Sequence, residues 1–175
     1  DGTLEEPLFF PAQLPNIIIN GTSGIAVGMA TDIIPHNIQE VAKACAYLIK
    51  NPNAKTATLM KYINGPDFPT GGQIITPTEE IEQIYETGRG SIKLRASYSI
   101  ENKEIVISEV PADTSTSKLL MQIGDMINNK KLPLVEDMRD EGDKNDPIRL
   151  VIVPKKKTDP HKVMEHLFAT TELEK

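Results

Sequence analysis

Cysteine is almost absent from these 175 residues. The single Cys45 has no partner for an internal disulfide, and a reducing cytoplasm is the simplest setting for such a chain. Long apolar runs are missing too: stretches such as Ile17-Ile18-Ile19 and Ile25-Ala26-Val27 fall far short of the roughly 20 residues that cross a bilayer. No charged-then-apolar leader opens the sequence, so no secretory signal is expected. Positive charge is in deficit, with 19 Lys and Arg against 25 Asp and Glu for a net −6, which excludes a chain-wide attraction to DNA or anionic lipid. Collagen and coiled-coil patterns are absent. What remains is a globular balance of 39% hydrophobic and 25% charged residues, in a length suited to one domain or one domain with an appendage. The opening Asp1-Gly2-Thr3 is turn-like and lacks Met, so the chain reads as a piece of a longer protein.

Charge is distributed unevenly. Residues 1–50 sum to −3, 51–100 to 0, 101–150 to −4 and 151–175 to +1. The acidity of the third segment concentrates between Glu136 and Asp146, which predicts a solvated connection, because so many carboxylates are costly to bury.

Helical spacing appears in four places. Asn37-Ile38-Gln39-Glu40 has the form of a capping box, followed by Ile38, Val41, Ala42, Cys45, Leu48 and Ile49. Thr76-Pro77-Thr78-Glu79 offers a cap, a first-turn proline and a Glu, with Ile81, Ile84 and Tyr85 as the apolar stripe and Gly88 as the stop. A third helix is predicted from about Thr116 to Asn128, burying Leu119, Leu120, Ile123, Met126 and Ile127. Asp159-Pro160 opens a fourth, with Val163, Met164, Leu167 and Phe168 inward. Ser91 to Ser99 alternates as a strand, Ile92, Leu94, Ala96 and Tyr98 on one face and Lys93, Arg95 and Ser97 on the other. Glu104–Val110 and Ile148–Val153 are β-branched strands, and Asn102-Lys103 predicts an antiparallel hairpin. Helices and strands mix without a βαβ rhythm and without a long repeat, so the expected class is α+β, an antiparallel or mixed sheet packed with helices.

The most unusual stretch is Asn20-Gly21-Thr22-Ser23-Gly24-Ile25-Ala26-Val27-Gly28-Met29-Ala30. It contains no Gly-Lys-Ser/Thr and no G-x-G-x-x-G, so a phosphate cradle is disfavoured. Two readings stay open. In one, small residues let the backbone approach a large partner, Ile25 projects as an apolar wedge between base steps, and Thr22 and Ser23 meet phosphate oxygens. In the other, the glycines make a tight packing turn and Ile25 lies in the core.

Other candidates have plainer readings. His161 and His166 are five apart and do not share a helix face, and no further ligand completes a metal set; His36 reads as a loop or cap residue. Cys45 lies on an apolar stripe and reads as core. The run Asp137-Met138-Arg139-Asp140-Glu141-Gly142-Asp143 does not follow the EF-hand order and reads as a solvated loop. Lys155-Lys156-Lys157 is too small alone to imply nucleic acid. Lys93 and Arg95 are possible phosphate contacts, although exposed strands often carry such pairs. No Ser/His/Asp set or carboxylate pair is assigned by spacing.

Pro11-Ala12-Gln13-Leu14-Pro15-Asn16, the stretch Asn20 to Thr31, Gly65-Pro66-Asp67-Phe68-Pro69-Thr70, Tyr85-Glu86-Thr87-Gly88-Arg89-Gly90 and Arg139-Asp140-Glu141 together resemble the breakage-reunion (A) subunits of the bacterial type IIA topoisomerases. The segments Asn129-Lys130-Lys131-Leu132-Pro133 and Leu167 to Lys175 are more similar to the topoisomerase IV branch than to the gyrase branch. The resemblance implies that residues 1–175 belong to the tower domain of the breakage-reunion core, with the DNA-wedge segment inside residues 1–36. The winged-helix, coiled-coil and C-terminal domains would lie outside the chain. It implies that Ile25 intercalates and bends duplex DNA, with Asn20, Thr22 and Ser23 at the backbone and Lys93 and Arg95 as lesser contacts. The nucleophilic tyrosine of the family lies upstream, and its Arg-Tyr motif is not found at Tyr47, Tyr62, Tyr85 or Tyr98, so this segment alone is expected to be catalytically inert. The parent would be a cytoplasmic, nucleoid-associated A2B2 enzyme that breaks both strands through phosphotyrosine, passes a second duplex and reseals. Mg²⁺ and ATP would be bound by its partner, the ATPase (B) subunit of topoisomerase IV, and no cofactor or metal is expected here. A segment of the corresponding gyrase subunit and a non-catalytic interaction module are the alternatives.

Overall fold

In the computed structural model, which describes residues 2–9 and 11–175, the chain divides into two compact units, residues 1–67 and 68–175. Asp1 of the expected opening turn lies outside the described residues. The first unit runs through α1 (Asn16–Asn20), β1 (Thr22–Ala26), β2 (Met29–Ile33), α2 (Ile38–Lys50) and α3 (Thr56–Leu59). The second contains β3 (Gln73–Ile74), α4 (Thr78–Thr87), β4 (Leu94–Arg95), β5 (Ser97–Glu101), β6 (Glu104–Glu109), α5 (Thr116–Asn128), β7 (Val135–Asp140), β8 (Leu150–Pro154) and α6 (Pro160–Thr170). The class is α+β, and every strand pairing is antiparallel.

The second unit holds most of the buried apolar surface. Its four-stranded sheet has the order β5-β6-β8-β7. Ile105, Ile107, Leu150 and Ile152 alternate onto one face and pack with Leu119 and Ile123 of α5 and Val163, Met164 and Leu167 of α6. The helix predicted over 116–128 and the one predicted to open at Asp159-Pro160, observed as Pro160–Thr170, therefore bury the faces their spacing implied. Asn102 and Lys103 both take positive φ, 50° and 71°, which closes β5 onto β6 as a tight hairpin.

Several expectations are corrected. The solvated connection predicted from Glu136 begins instead as the edge strand β7, which pairs with β8 through Arg139↔Val151 and Met138↔Ile152. Only Val135 and Met138 turn inward, too few apolar residues to announce a strand, while Glu136 and Asp137 face solvent as edge-strand charges commonly do. The single strand expected over 91–99 splits at Ala96. Leu94 and Arg95 pair with β3 and with the segment 173–175, whereas Ser97 onward pairs with β6. Thr76 does not cap α4; its hydroxyl accepts from the Lys93 amide, and Gly88 ends the helix as expected.

In the first unit, α2 is capped by Asn37, whose Oδ1 accepts from the amides of Gln39 and Glu40 at 2.9 and 3.3 Å. The capping box is not closed, because Glu40 turns away to hold the Asn64 amide and side chain. The apolar stripe of α2 is also only partly buried: Val41 and Ala44 are inside, Cys45 is half-buried, and Ala42, Ile38, Leu48 and Ile49 face solvent. No helix among the described residues is long and apolar enough to cross a membrane.

Candidate nucleic-acid interface

The Gly-rich stretch folds as a β-hairpin standing on a short helix. α1 ends at Gly21, where φ is +70° and the backbone runs so close to the chain leaving β2 that a Cβ would collide with the Ile33 carbonyl oxygen and lie 3.0 Å from the Pro35 nitrogen. Only glycine fits there without displacing backbone. His36, buried at this base, ties the return strand to α1: its amide donates to the Ile19 carbonyl at 3.2 Å, and its Nδ1 lies 3.1 Å from the Ile18 carbonyl. His36 is thus an anchor of the hairpin.

Beyond this base the hairpin is bare. The register Thr22↔Ile33, Ser23↔Asp32, Gly24↔Thr31, Ile25↔Ala30 and Ala26↔Met29 closes through Val27 and Gly28. A positive φ at Gly28 alone, +79°, matches the glycine position of a type II turn. Ile25 is 96% exposed and Val27 102%, so Ile25 is not a core residue and the packing-turn reading falls. Met29, 74% exposed, extends the same apolar tip. Sequence reasoning singled out Ile25 and overlooked Val27 and Met29. The usable signal was the pair of five-residue runs symmetric about Val27-Gly28, masked because small residues blur alternation.

The chemistry around the tip is neutral. Residues 7–39 contain no Lys or Arg and one acid, Asp32, which sits opposite Ser23. Asn20, Thr22 and Ser23 are exposed, and their side chains make no hydrogen bond among the described residues. They can serve as neutral donors near the hairpin, with Ser23 and Ile25 on one face by strand alternation and Thr22 on the other. Such a surface offers an apolar ridge and hydroxyls, with no cation to bind phosphate at long range.

Lys93 and Arg95 lie in the second unit. Lys93 is exposed and has no ion pair among the described residues. Arg95 is committed within the chain: its guanidinium pairs with Glu174 at 2.6 Å and lies 4.6 Å from the Phe168 ring centroid. Arg139 and Arg149 are similarly engaged, the first by Glu104 and Glu141 and the second by Glu101 and Glu141. These carboxylates raise both guanidinium pKa values, Glu104 most for Arg139 and Glu101 most for Arg149. Glu109 accepts from the Ser97 hydroxyl at 2.7 Å and the Gly72 amide at 2.8 Å, and these bonds hold its carboxyl below the ordinary carboxylate range. Cys45 is free and half-buried on α2. Among the described residues no group of three His, Cys, Asp or Glu side chains could hold a metal ion.

The first unit thus holds an exposed apolar hairpin tip, Ile25, Val27 and Met29, on a base locked by Gly21. The chain belongs to the A-subunit family of DNA gyrase and topoisomerase IV, whose sequence model matches residues 1–175. Within that family it is similar to proteins named as the A subunit of DNA topoisomerase 4. It is 53% identical to the one from Pseudomonas aeruginosa over 99% of this chain and 23% of that protein. Identity is 54% with the Haemophilus influenzae protein, over 100% of this chain and 24% of that protein. It is 53% with the Escherichia coli K12 protein, over 100% and 23% respectively. The chain thus spans about a quarter of the length of these relatives.

Proposed function

We propose that this chain is the DNA-bending tower segment of a type IIA topoisomerase breakage-reunion subunit, of the topoisomerase IV kind. The observation that carries the reading is Ile25, almost fully exposed on a hairpin whose base is locked by Gly21 and His36. Unstacking a base step costs on the order of a few kcal/mol, and burying an Ile side chain returns roughly 1.5–3 kcal/mol. The two nearly balance, so a bent duplex needs further contacts. Asn20, Thr22 and Ser23 supply neutral ones beside the hairpin; Lys93 is a separate candidate contact on the second unit, and Arg95 is held by Glu174.

The parent acts, in this reading, as an isomerase that opens both strands of one duplex through phosphotyrosine, passes another through the gap and reseals. The phosphotyrosine bond conserves the free energy of the broken phosphodiester. The nucleophilic tyrosine belongs to sequence upstream of this segment, while Mg²⁺ and ATP are bound by the ATPase partner in an A2B2 assembly. The segment contributes geometry: it imposes a bend, and deformable steps are favoured because they cost less to bend. The full-length protein with its ATPase partner tests the proposal. Decatenation and relaxation without supercoiling support the topoisomerase IV assignment, whereas ATP-driven negative supercoiling transfers it to gyrase. Neither activity, with a demonstrably active partner, overturns the enzyme reading.

A further inference from the structure

The second unit carries a cleft that the DNA reading does not use. Its volume is about 400 Å³, a size typical of small-molecule sites. It lies where the β6–β8 ladder stops. The last paired residues are Ile107 and Leu150. Beyond them Glu109 pairs with Ser97 of β5, while the chain enters β8 from the loop around Asp146. Residues Phe68 to Gly71 line the same cleft. Phe68, Pro69, Val106 and Ile148 give it an apolar wall. Val106 is buried on the sheet face opposite the main core, since Ile105 and Ile107 take the core side.

The polar groups on the lining decide what the cleft can accept. Glu109 offers one oxygen. Its Oε2 accepts from the Ser97 hydroxyl at 2.7 Å and the Gly72 amide at 2.8 Å, whereas Oε1 has no partner among the described residues. Those two bonds keep the carboxyl in its ionised form at neutral pH. The carboxyl also rests against Gly71, at φ +72°, where a Cβ would lie 2.5 Å from the carboxyl carbon; a side chain there would push it aside. Asp146 is exposed, and its carboxylate makes no hydrogen bond or ion pair among the described residues. The Thr70 hydroxyl oxygen is buried and equally unbonded, a costly condition in a folded chain. The cation on the lining, Arg149, is turned to carboxylates elsewhere, Glu101 at 2.9 Å and Glu141 at 3.4 Å. An anionic ligand would meet two carboxylates, and a purely apolar one would leave them and Thr70 unpaired. A cation with a hydrocarbon body satisfies both parts of the lining.

We infer that this cleft binds a linear aliphatic diamine or polyamine, with one ammonium at Glu109 Oε1, another at Asp146, and the methylene chain against Phe68, Pro69 and Ile148. Each ammonium carries several N–H donors, so one remains for the Thr70 hydroxyl. The site is separate from the hairpin and does not rest on the DNA reading.

Calorimetric titration of the full-length protein, free of DNA, with the linear diamines from diaminopropane to diaminohexane tests the assignment. Saturable binding of one diamine per chain is expected. Hexylamine, which satisfies a single carboxylate, should bind about tenfold more weakly. Asp146→Asn should lower diamine affinity by about the same factor with an unchanged melting temperature, since that side chain holds nothing in the fold. Ser108→Leu, at an exposed lining position without a side-chain hydrogen bond, should block the cleft. Binding that survives either substitution places the amine elsewhere on an acidic surface and overturns the inference. Equal affinity for hexylamine and the diamines overturns it too, as does the absence of binding by a protein that bends DNA normally. A protein that binds the diamine but does not bend DNA upholds this site and refutes the DNA reading instead.

Discussion

Replacing Ile25 by Ala separates a wedge from a packing residue, because the two roles predict opposite patterns of stability and bending. At 96% exposure the side chain contributes little to the folded chain, so thermal stability should change by no more than about 0.5 kcal/mol. The substitution removes three carbons. At about 0.8 kcal/mol per buried methylene, roughly 2 kcal/mol is withdrawn from the bent complex, where the side chain would be buried between bases. A difference of that size lowers the ratio of bent to straight duplex about 30-fold, taking about 1.4 kcal/mol per factor of ten. End-to-end energy transfer on a doubly labelled duplex bound to the full-length protein reads that ratio directly. Overall affinity should fall less, since phosphate contacts remain. Equal bending by the variant and the parent, or a melting temperature lowered by several degrees, refutes the reasoning.

Other outcomes follow from the same geometry. Gly21→Ala should destabilise the hairpin base by at least about 1–2 kcal/mol, because the new Cβ meets the Ile33 carbonyl at positive φ; amide exchange at residues 22–33 should rise sharply, and unchanged protection would contradict the locked base. Glu109, whose carboxyl is held down by Ser97 and Gly72, contributes stability that is fully present above the ordinary Glu range and is lost as pH falls through its lowered value. Denaturant unfolding between pH 6 and 3 should therefore flatten in Glu109→Gln, and a curve parallel to the parent's would remove Glu109 from the account of acid sensitivity.

Much of the second unit was legible in the sequence because its helices and central strands are governed by local rules. Asp159-Pro160 set the start of α6, and the spacing of Leu119 and Ile123 set the buried face of α5. β7 escaped because its membership is conferred by β8: charged edge residues satisfy their backbone bonds on one side without any apolar alternation. The switch of partner at Ala96 was equally invisible, since one continuous alternating run serves two sheets. At the candidate site the motif was visible and its exposure was not. Small residues flanking Ile25 suit both a packed turn and a bare hairpin, and it is the exposure of Ile25 and Val27 that distinguishes them.

The stitching of Leu94 and Ala96 to Leu173 and Lys175 has a bearing on how the protein is made. Arg95 waits for Glu174, 79 residues later. At the usual ~5–20 residues per second of synthesis, the second unit spends about 4–16 s on the ribosome with that strand edge unpaired. Ile105, Ile107 and the rest of β6 emerge long before β8 and α6 are present to cover them. Nascent-chain chaperones therefore have a defined window in which this unit is incomplete, and it closes only once Leu173 has left the exit tunnel.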